Sequence, residues 1–279
     1  MSELEFEIRK NVEREGLPPS YRMRADAHYV DQLSARSADA PQTSAADRRR
    51  VLDSEAMAQV MGAIATIQSA ANMASDDGSP VVRRVALDLI RAAAWRASWQ
   101  MRAAAVLDQT HRWQFRPRLV GAVLTRVRDG FAADGRLRGV DVSMQVADWN
   151  ATADLDEEAL VAAVCGAVVA TAGVMEGVEA PQIVLTARAS GESDLLIEVS
   201  QDAVAVEAAD AERFFDAARP DRIGGRPAAI GATAARSVAQ RHGGDATFVA
   251  DGGRGCTVRF ALRRSLTATP ANSSRNPHA

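Results

Sequence analysis

The run Gly231 to Leu262, GATAARSVAQRHGGDATFVADGGRGCTVRFAL, constrains this chain more than any other part of it. Its apolar residues recur at helical spacing up to His242 and stop at Gly243-Gly244. They then alternate in two short runs, Ala246 to Val249 and Thr257 to Leu262, joined through the Gly-rich turn Asp251 to Gly255. This is a helix with a glycine stop followed by a hairpin. The upstream pattern supplies what that unit packs with: a helix over Asp156 to Met175, a strand over Gln182 to Ala187, a turn at Gly191 and a strand over Leu195 to Ser200. A variable loop then leads into the helix Ala229 to His242. Strands and helices in this order predict an α/β sandwich with a mixed sheet and its helices on one face. An amphipathic run over Arg118 to Phe131 and an alternating strand over Val140 to Val146 precede it.

A different pattern governs residues 51 to 114. Met57, Val60, Met61, Ile64, Ile67 and Ala71 fall on one helical face, and a break at Asp76-Asp77-Gly78 ends that helix. After Ser79-Pro80 a second stripe carries Val82, Val85, Leu89, Ala93, Ala97, Met101 and Ala104, with no proline until Pro117. The two make an antiparallel helical hairpin. Trp95 and Trp99, four apart, add bulky surface that needs a partner. Two remedies are open: dimerisation into a four-helix bundle, or packing of the tryptophans on the domain that follows.

With 279 residues and 47% hydrophobic content, the chain has room for two domains and a tail. Its net charge of -3, with acidic and basic residues mixed along most of its length, gives no footprint for nucleic acid. The run Arg48-Arg49-Arg50 reads as a solvated helix start. Lys10 is the only lysine, so no lysine follows any glycine-rich loop and a P-loop ATPase is excluded. Cys165 and Cys256 lie far apart without metal-ligand spacing and read as small core residues, which fits a reducing cytoplasm. No segment of signal-peptide character opens the chain, and the alanine-rich stretches are interrupted by Arg, Asp or Gln, so neither a leader nor a bilayer span is expected.

Residues 1–45 read as a flexible polar segment. Within it Tyr21 to Leu33, YRMRADAHYVDQL, concentrates both tyrosines with a Met, a Val and a Leu among charges, which reads either as a docking motif or as a terminus without fixed structure. Residues 266–279 read as a disordered tail.

Taken together, a helical hairpin (residues 51–114), a connecting helix and the sandwich (residues 115–265) resemble the dimerisation and catalytic domains of bacterial sensor histidine kinases, whose ATP-binding half has the Bergerat, or GHKL, fold. The closest similarity is carried by ARSVAQRHGGDATFVADGGRGCTVRFAL, and a looser one by LLIEVSQDAVAV followed by ERFFD. The fold class expected is therefore α+β, an N-terminal hairpin forming a dimeric four-helix bundle and then a Bergerat-type α/β sandwich.

The resemblance also says where chemistry should lie, and each position is altered. In ALVAAVCGAVVATAGV, Gly166 stands where the family's magnesium-ligating Asn is expected and Val169 where a basic residue usually follows. A glycine brings no side-chain oxygen to a hard cation. At the adenine position the family's Asp is replaced by Gln201, with Ala203 and Ala205 at the following glycines. Moving the alignment by one residue would put Asp202 there instead, against the strand's alternation. The last glycine box reads Gly225-Arg226-Pro227-Ala228-Ala229-Ile230-Gly231, leaving Gly231 at the helix start as a single phosphate-facing glycine. No histidine lies between Ser54 and Ser75, where the family presents its phosphoacceptor. Of the four histidines, His242 reads as a structural cap, His111 as the end of the second hairpin helix and His278 as part of the tail. His28, beside Asp26 and Tyr29, is the remaining candidate phosphoacceptor.

These readings lead to a dimeric pseudo-histidine kinase of two-component signalling, cytoplasmic and without catalytic residues, metal or cofactor. It would act by binding a response-regulator receiver domain or a sensor kinase, with no nucleic acid or membrane partner. Two alternatives stay open. One is a divergent ATP-dependent kinase or phosphotransferase using Mg-ATP in a rebuilt pocket and His28. The other is a sensor whose pocket, enlarged at Gly166, Ala203 and Ala205, takes another small ligand.

Overall fold

The computed structural model describes residues 45–76, 79–138, 140–147, 149, 151–175, 177–191, 194–206, 214–215, 225–250 and 255–264. The segment Tyr21 to Leu33, His28 and His278 lie outside the described residues. The described residues open with a helical hairpin, α1 (Ala45–Asp76) and α2 (Pro80–Leu107), with Pro80 in the first turn of α2. Then come β1 (Arg116–Leu119), α3 (Val120–Arg138), β2 (Asp141–Val146), β3 (Thr152–Leu155) and α4 (Glu157–Val174). The remainder is β4 (Gln182–Ser190), β5 (Asp194–Gln201), α5 (Gly225–Arg241), β6 (Asp245–Ala250) and β7 (Cys256–Arg263).

Five strands form one mixed sheet in the order β2-β4-β5-β7-β6, parallel between β2 and β4 and antiparallel elsewhere. The expected α/β sandwich is present. The alternation of each strand explains its pairing: Ile183, Leu185, Ile197, Val199, Val258, Phe260 and Leu262 are buried on one face, beneath α4 and α5. Gly191 and Gly243 take positive φ (72° and 74°), as a turn and a helix stop require of residues without Cβ.

Two small strands escaped the sequence reading. β1 and β3 pair antiparallel as a separate ladder, Arg116 opposite Leu155 and Leu119 opposite Thr152. Both are four residues long, too short for alternation to register. A second difference concerns α4, Glu157–Val174, which is long and apolar enough to cross a membrane by length and composition, contrary to the expectation that the alanine-rich stretches are interrupted by Arg, Asp or Gln. The helix is instead the centre of the core, with Leu160, Val161, Val164, Ala167 and Val168 all buried among protein neighbours.

The two tryptophans of α2 follow the second of the two remedies. Trp99 is fully buried in the same core as α4, α5 and the sheet. Trp95 meets Phe131 of α3 edge to face, with ring centroids 6.4 Å apart, and lies against Gly130, which has no side chain to block it. The tryptophans therefore join the hairpin to the α/β layer and are not surface awaiting a second copy. The face that stays open is elsewhere: Met57, Met61 and Ile64 on α1 and Leu87 and Met101 on α2 are exposed.

Candidate functional site

The resemblance places a nucleotide between Gly166 of α4, Gln201 of β5 and the Gly225–Gly231 box. The structure brings the first and last of these together. Gly166 and Gly231 are buried and meet backbone to backbone: a Cβ built on Gly166 would come within 2.6 Å of the Gly231 carbonyl oxygen, and one built on Gly231 would be 3.2 Å from the Gly166 carbonyl oxygen. Only two glycines permit helices to approach this closely. The space in which a ligating side chain would stand is filled by the neighbouring main chain.

Gly231 also differs from its expected place. α5 begins at Gly225, six residues earlier than Gly231, so Gly231 sits in the second turn and not at the helix start. Only the first four N–H groups of a helix lack internal partners, so the Gly231 N–H is committed to the helix and faces no phosphate. Pro227 explains the earlier start, since proline is favoured in a first turn where its missing N–H is no loss.

Gln201 is 4% exposed at the end of β5 and is satisfied by its own loop. Its Oε1 accepts from the N–H groups of Ala203 and Val204, both at 2.8 Å, and its Nε2 donates to the Val204 carbonyl at 2.5 Å and to Cys256 Sγ at 3.2 Å. A carbonyl oxygen that already takes two hydrogen bonds has no lone pair left for an adenine amino group. Asp202, Ala203 and Ala205 are exposed in the bend that Gln201 closes. Among the described residues, none of the side-chain partners of Gln201 comes from α4 or α5.

A second cluster, which the motif reading did not find, lies where the hairpin enters the sandwich. Asp156 caps α4 with extended backbone (φ -82°, ψ 98°), its Oδ1 accepting from the Ala159 N–H at 3.0 Å. Its Oδ2 accepts from the Gln114 N–H at 2.7 Å and meets His111 Nε2 at 2.9 Å. The Asp156 N–H donates to His242 Nε2 at 3.1 Å, which fixes the tautomer: Nδ1 carries the proton and lies 2.7 Å from the Val238 carbonyl. His242 is thus no simple cap but a fully buried, neutral link between α5 and α4. Burial drives its pKa below the ordinary value, with the Val238 hydrogen bond and the Asp156 charge opposing in part. Burial also pushes Asp156 upward, but the hydrogen bonds from Ala159, Gln114 and His111, with the His111 charge, outweigh it and hold the carboxyl below its ordinary range.

Aromatic packing completes the joint. Trp113 and Phe115 stack at 5.8 Å, and both present edges or faces to His242, at 6.3 and 5.1 Å. Arg102 of α2, Arg126 of α3 and Arg118 of β1 all pair with Glu158 or Glu157 in the first turn of α4, at 2.6, 2.5 and 3.3 Å for their shortest contacts. Two glutamates at a helix N-terminus are well placed for the dipole. Among the described residues no group of three or more His, Cys, Asp or Glu could hold a metal ion.

No protein-family model matches the chain, and no curated protein matches its sequence. Solved structures do show similarity. The catalytic domain of the histidine kinase ThkA aligns at 13% identity and a TM-score of 0.48, over 55% of this chain and 97% of that one. The histidine kinase AdeS of Acinetobacter baumannii aligns at 10% and 0.46, over 72% and 95%. ThkA in complex with the response regulator protein TrrA aligns at 13% and 0.47, over 87% and 68%. The likeness is one of fold, to histidine-kinase catalytic domains.

Proposed function

We propose that this protein is a non-catalytic, histidine-kinase-like regulator or scaffold of two-component signalling that acts by binding a receiver domain or a partner kinase. The observation that carries the reading is the backbone contact between Gly166 and Gly231, because it removes both the metal-ligand position and the phosphate-facing amide at once. Gln201 adds to it by spending its acceptor on its own loop. Each lost ligand contact is worth roughly 1–3 kcal/mol, and several such losses take a micromolar nucleotide site beyond millimolar.

The joint between the hairpin and the sandwich supports the same reading. A kinase must carry its nucleotide to an acceptor, which requires the two parts to move relative to each other. Here Trp99 in the core and the Asp156 hydrogen bonds to the chain after α2 hold them as one body. A homodimer through the open hairpin face, with Met57, Met61 and Ile64 at its centre, completes the proposal.

Two titrations test it. Calorimetry of the full chain with Mg-ADP and a non-hydrolysable ATP analogue should give no heat up to millimolar ligand, and purified receiver domains should bind. Specific nucleotide heat that competes between the two ligands would remove the non-catalytic reading and reopen the phosphotransfer alternative.

A further inference from the structure

The sulfur atoms of this protein are unevenly distributed. Cys165 and Cys256 are both fully buried, so neither thiol meets solvent in the folded chain. Six of the eight methionines lie among the described residues. Met175 is 2% exposed, and Met73 and Met144 are half-buried against the two core clusters. Met57, Met61 and Met101 differ from these, exposed at 63%, 57% and 58%. All three stand on the hairpin, where with Ile64 and Leu87 they are the exposed large hydrophobic residues among those described.

Helix geometry places the three. Counted at roughly 1.5 Å per residue, Met57 on α1 and Met101 on α2 each lie about 30 Å from the turn that joins the helices, at one level of the antiparallel pair. Met61 follows Met57 by one turn on the same face. This exposure decides what an oxidant can reach. A reactive thiol needs an accessible, electropositive setting, and both cysteines lie in the core instead. The sulfur that solvent reaches most, among the described residues, is therefore thioether. Oxidation turns such a side chain from flexible and apolar into a polar, chiral sulfoxide, and reductases specific for each sulfoxide epimer reverse it. An apolar face in which three of five large side chains are exposed methionines thus loses most of its apolar character in one chemical step.

We propose that Met57, Met61 and Met101 are a reversible oxidation site, at which a peroxide switches off association through the hairpin face. The inference rests on the homodimer in the proposed function and names its regulation. In each step a sulfur lone pair attacks one oxygen of hydrogen peroxide, the O–O bond breaks and an S–O bond forms. The proton on the transferred oxygen passes to the departing hydroxide, which leaves as water. Sulfur is oxidised by two electrons and the peroxide is reduced by two. Met175, buried in the core, and the two buried thiols are spared by the same fold that presents the hairpin methionines.

The test treats the full chain with hydrogen peroxide and follows it by fragment-ion mass spectrometry, which separates Met57 and Met61 from Met73 on their shared tryptic peptide. Met57, Met61 and Met101 should reach half conversion roughly tenfold sooner than Met175, while Cys165 and Cys256 stay thiols. Light scattering should move from the mass of two chains to that of one over the same interval, and return once methionine sulfoxide reductases A and B have acted. The triple variant Met57→Leu, Met61→Leu, Met101→Leu keeps the face apolar and should hold the mass of two chains in peroxide, although Met1 and Met23 remain in it. Circular dichroism before and after treatment separates dissociation from unfolding, and the reductase step keeps the test sound if the variant fails to associate. Met175 or either thiol converting as fast as Met57 overturns the site. A triple variant that still dissociates in peroxide overturns the assignment to these residues. A wild type that keeps the mass of two chains with all three residues as sulfoxides overturns the switch and leaves the homodimer standing. A wild type with the mass of one chain before any peroxide overturns the homodimer and the switch together.

Discussion

Gly166 of α4 and Gly231 of α5 meet without a side chain between them, so the two central helices of the sandwich are closed against each other there. The contact makes a direct prediction. Gly166→Ala and Gly231→Ala each drive a methyl group into main chain, which cannot rotate away as a side-chain tip can. Overpacking of this kind costs about 1–3 kcal/mol. Urea denaturation should show both midpoints lowered with an unchanged slope; a midpoint equal to wild type for either variant would mean the helices stand further apart than described.

Gln201 should behave as a loop clasp and not as a ligand-binding residue. Gln201→Ala leaves the N–H groups of Ala203 and Val204 without their acceptor and frees the Val204 carbonyl. Hydrogen exchange should then accelerate at those two amides, with about 1 kcal/mol of lost stability because the loop is near solvent. Gln201→Asp, which puts a carboxylate at this position, should still bind no nucleotide, since α4 and α5 remain closed. Detectable Mg-ADP heat in Gln201→Asp would show that the residue at 201 alone decided the site.

The succession of the longer strands and helices along the chain was legible in the sequence because those elements are long enough for periodicity to speak. The same holds for the positive-φ Gly243 stop, which the His-Gly-Gly run announces. The site positions were harder to read. Motif comparison found that Gly166 lacks an oxygen, but it could not see that Gly231 uses the vacant volume, since residues 65 apart in sequence leave no local trace of contact. The glycine box puts a helix start at Gly231, whereas the helix begins six residues earlier at Gly225, with Pro227 in its first turn. The Trp95 and Trp99 pair showed that a partner surface was needed without showing which, because burial against α3 and α4 and burial against a second copy demand the same residues.

Acid should loosen the joint between α4, α5 and the segment after α2. The folded pKa of His242 is depressed, so the unfolded chain binds the extra proton first and stability falls as pH drops below the ordinary 6.5 toward the lower folded value. The folded pKa of Asp156 is also depressed. Its contribution is complete above the ordinary 3.8 and is lost as pH falls through its lower folded value. Stability measured by urea at fixed ionic strength should therefore decline in two stages on acidification. In His242→Gln, whose amide can accept from the Asp156 N–H and donate to the Val238 carbonyl without titrating, the upper stage should vanish. Persistence of that stage in the variant would assign it to another group.

The division of labour on the hairpin yields the last prediction. Trp99 serves the core and the exposed Met57, Met61 and Ile64 face is the one proposed for association, so the two can be separated by substitution. Trp99→Ala should lower stability by about 3–5 kcal/mol, as expected for deleting a buried aromatic side chain. Trp99→Phe should cost far less, because the Trp99 Nε1 is buried without a hydrogen-bond partner and its removal relieves an unmet donor. Neither change touches the open face. The triple variant Met57→Ser, Met61→Ser, Ile64→Ser should do the reverse, leaving the unfolding midpoint of the α/β layer in place while light scattering moves from the mass of two chains to that of one. A wild-type protein with the mass of one chain at all concentrations would leave the exposed face without a second copy and remove dimerisation from the proposal, while the Trp99 predictions would stand, since they depend only on contacts within a single chain.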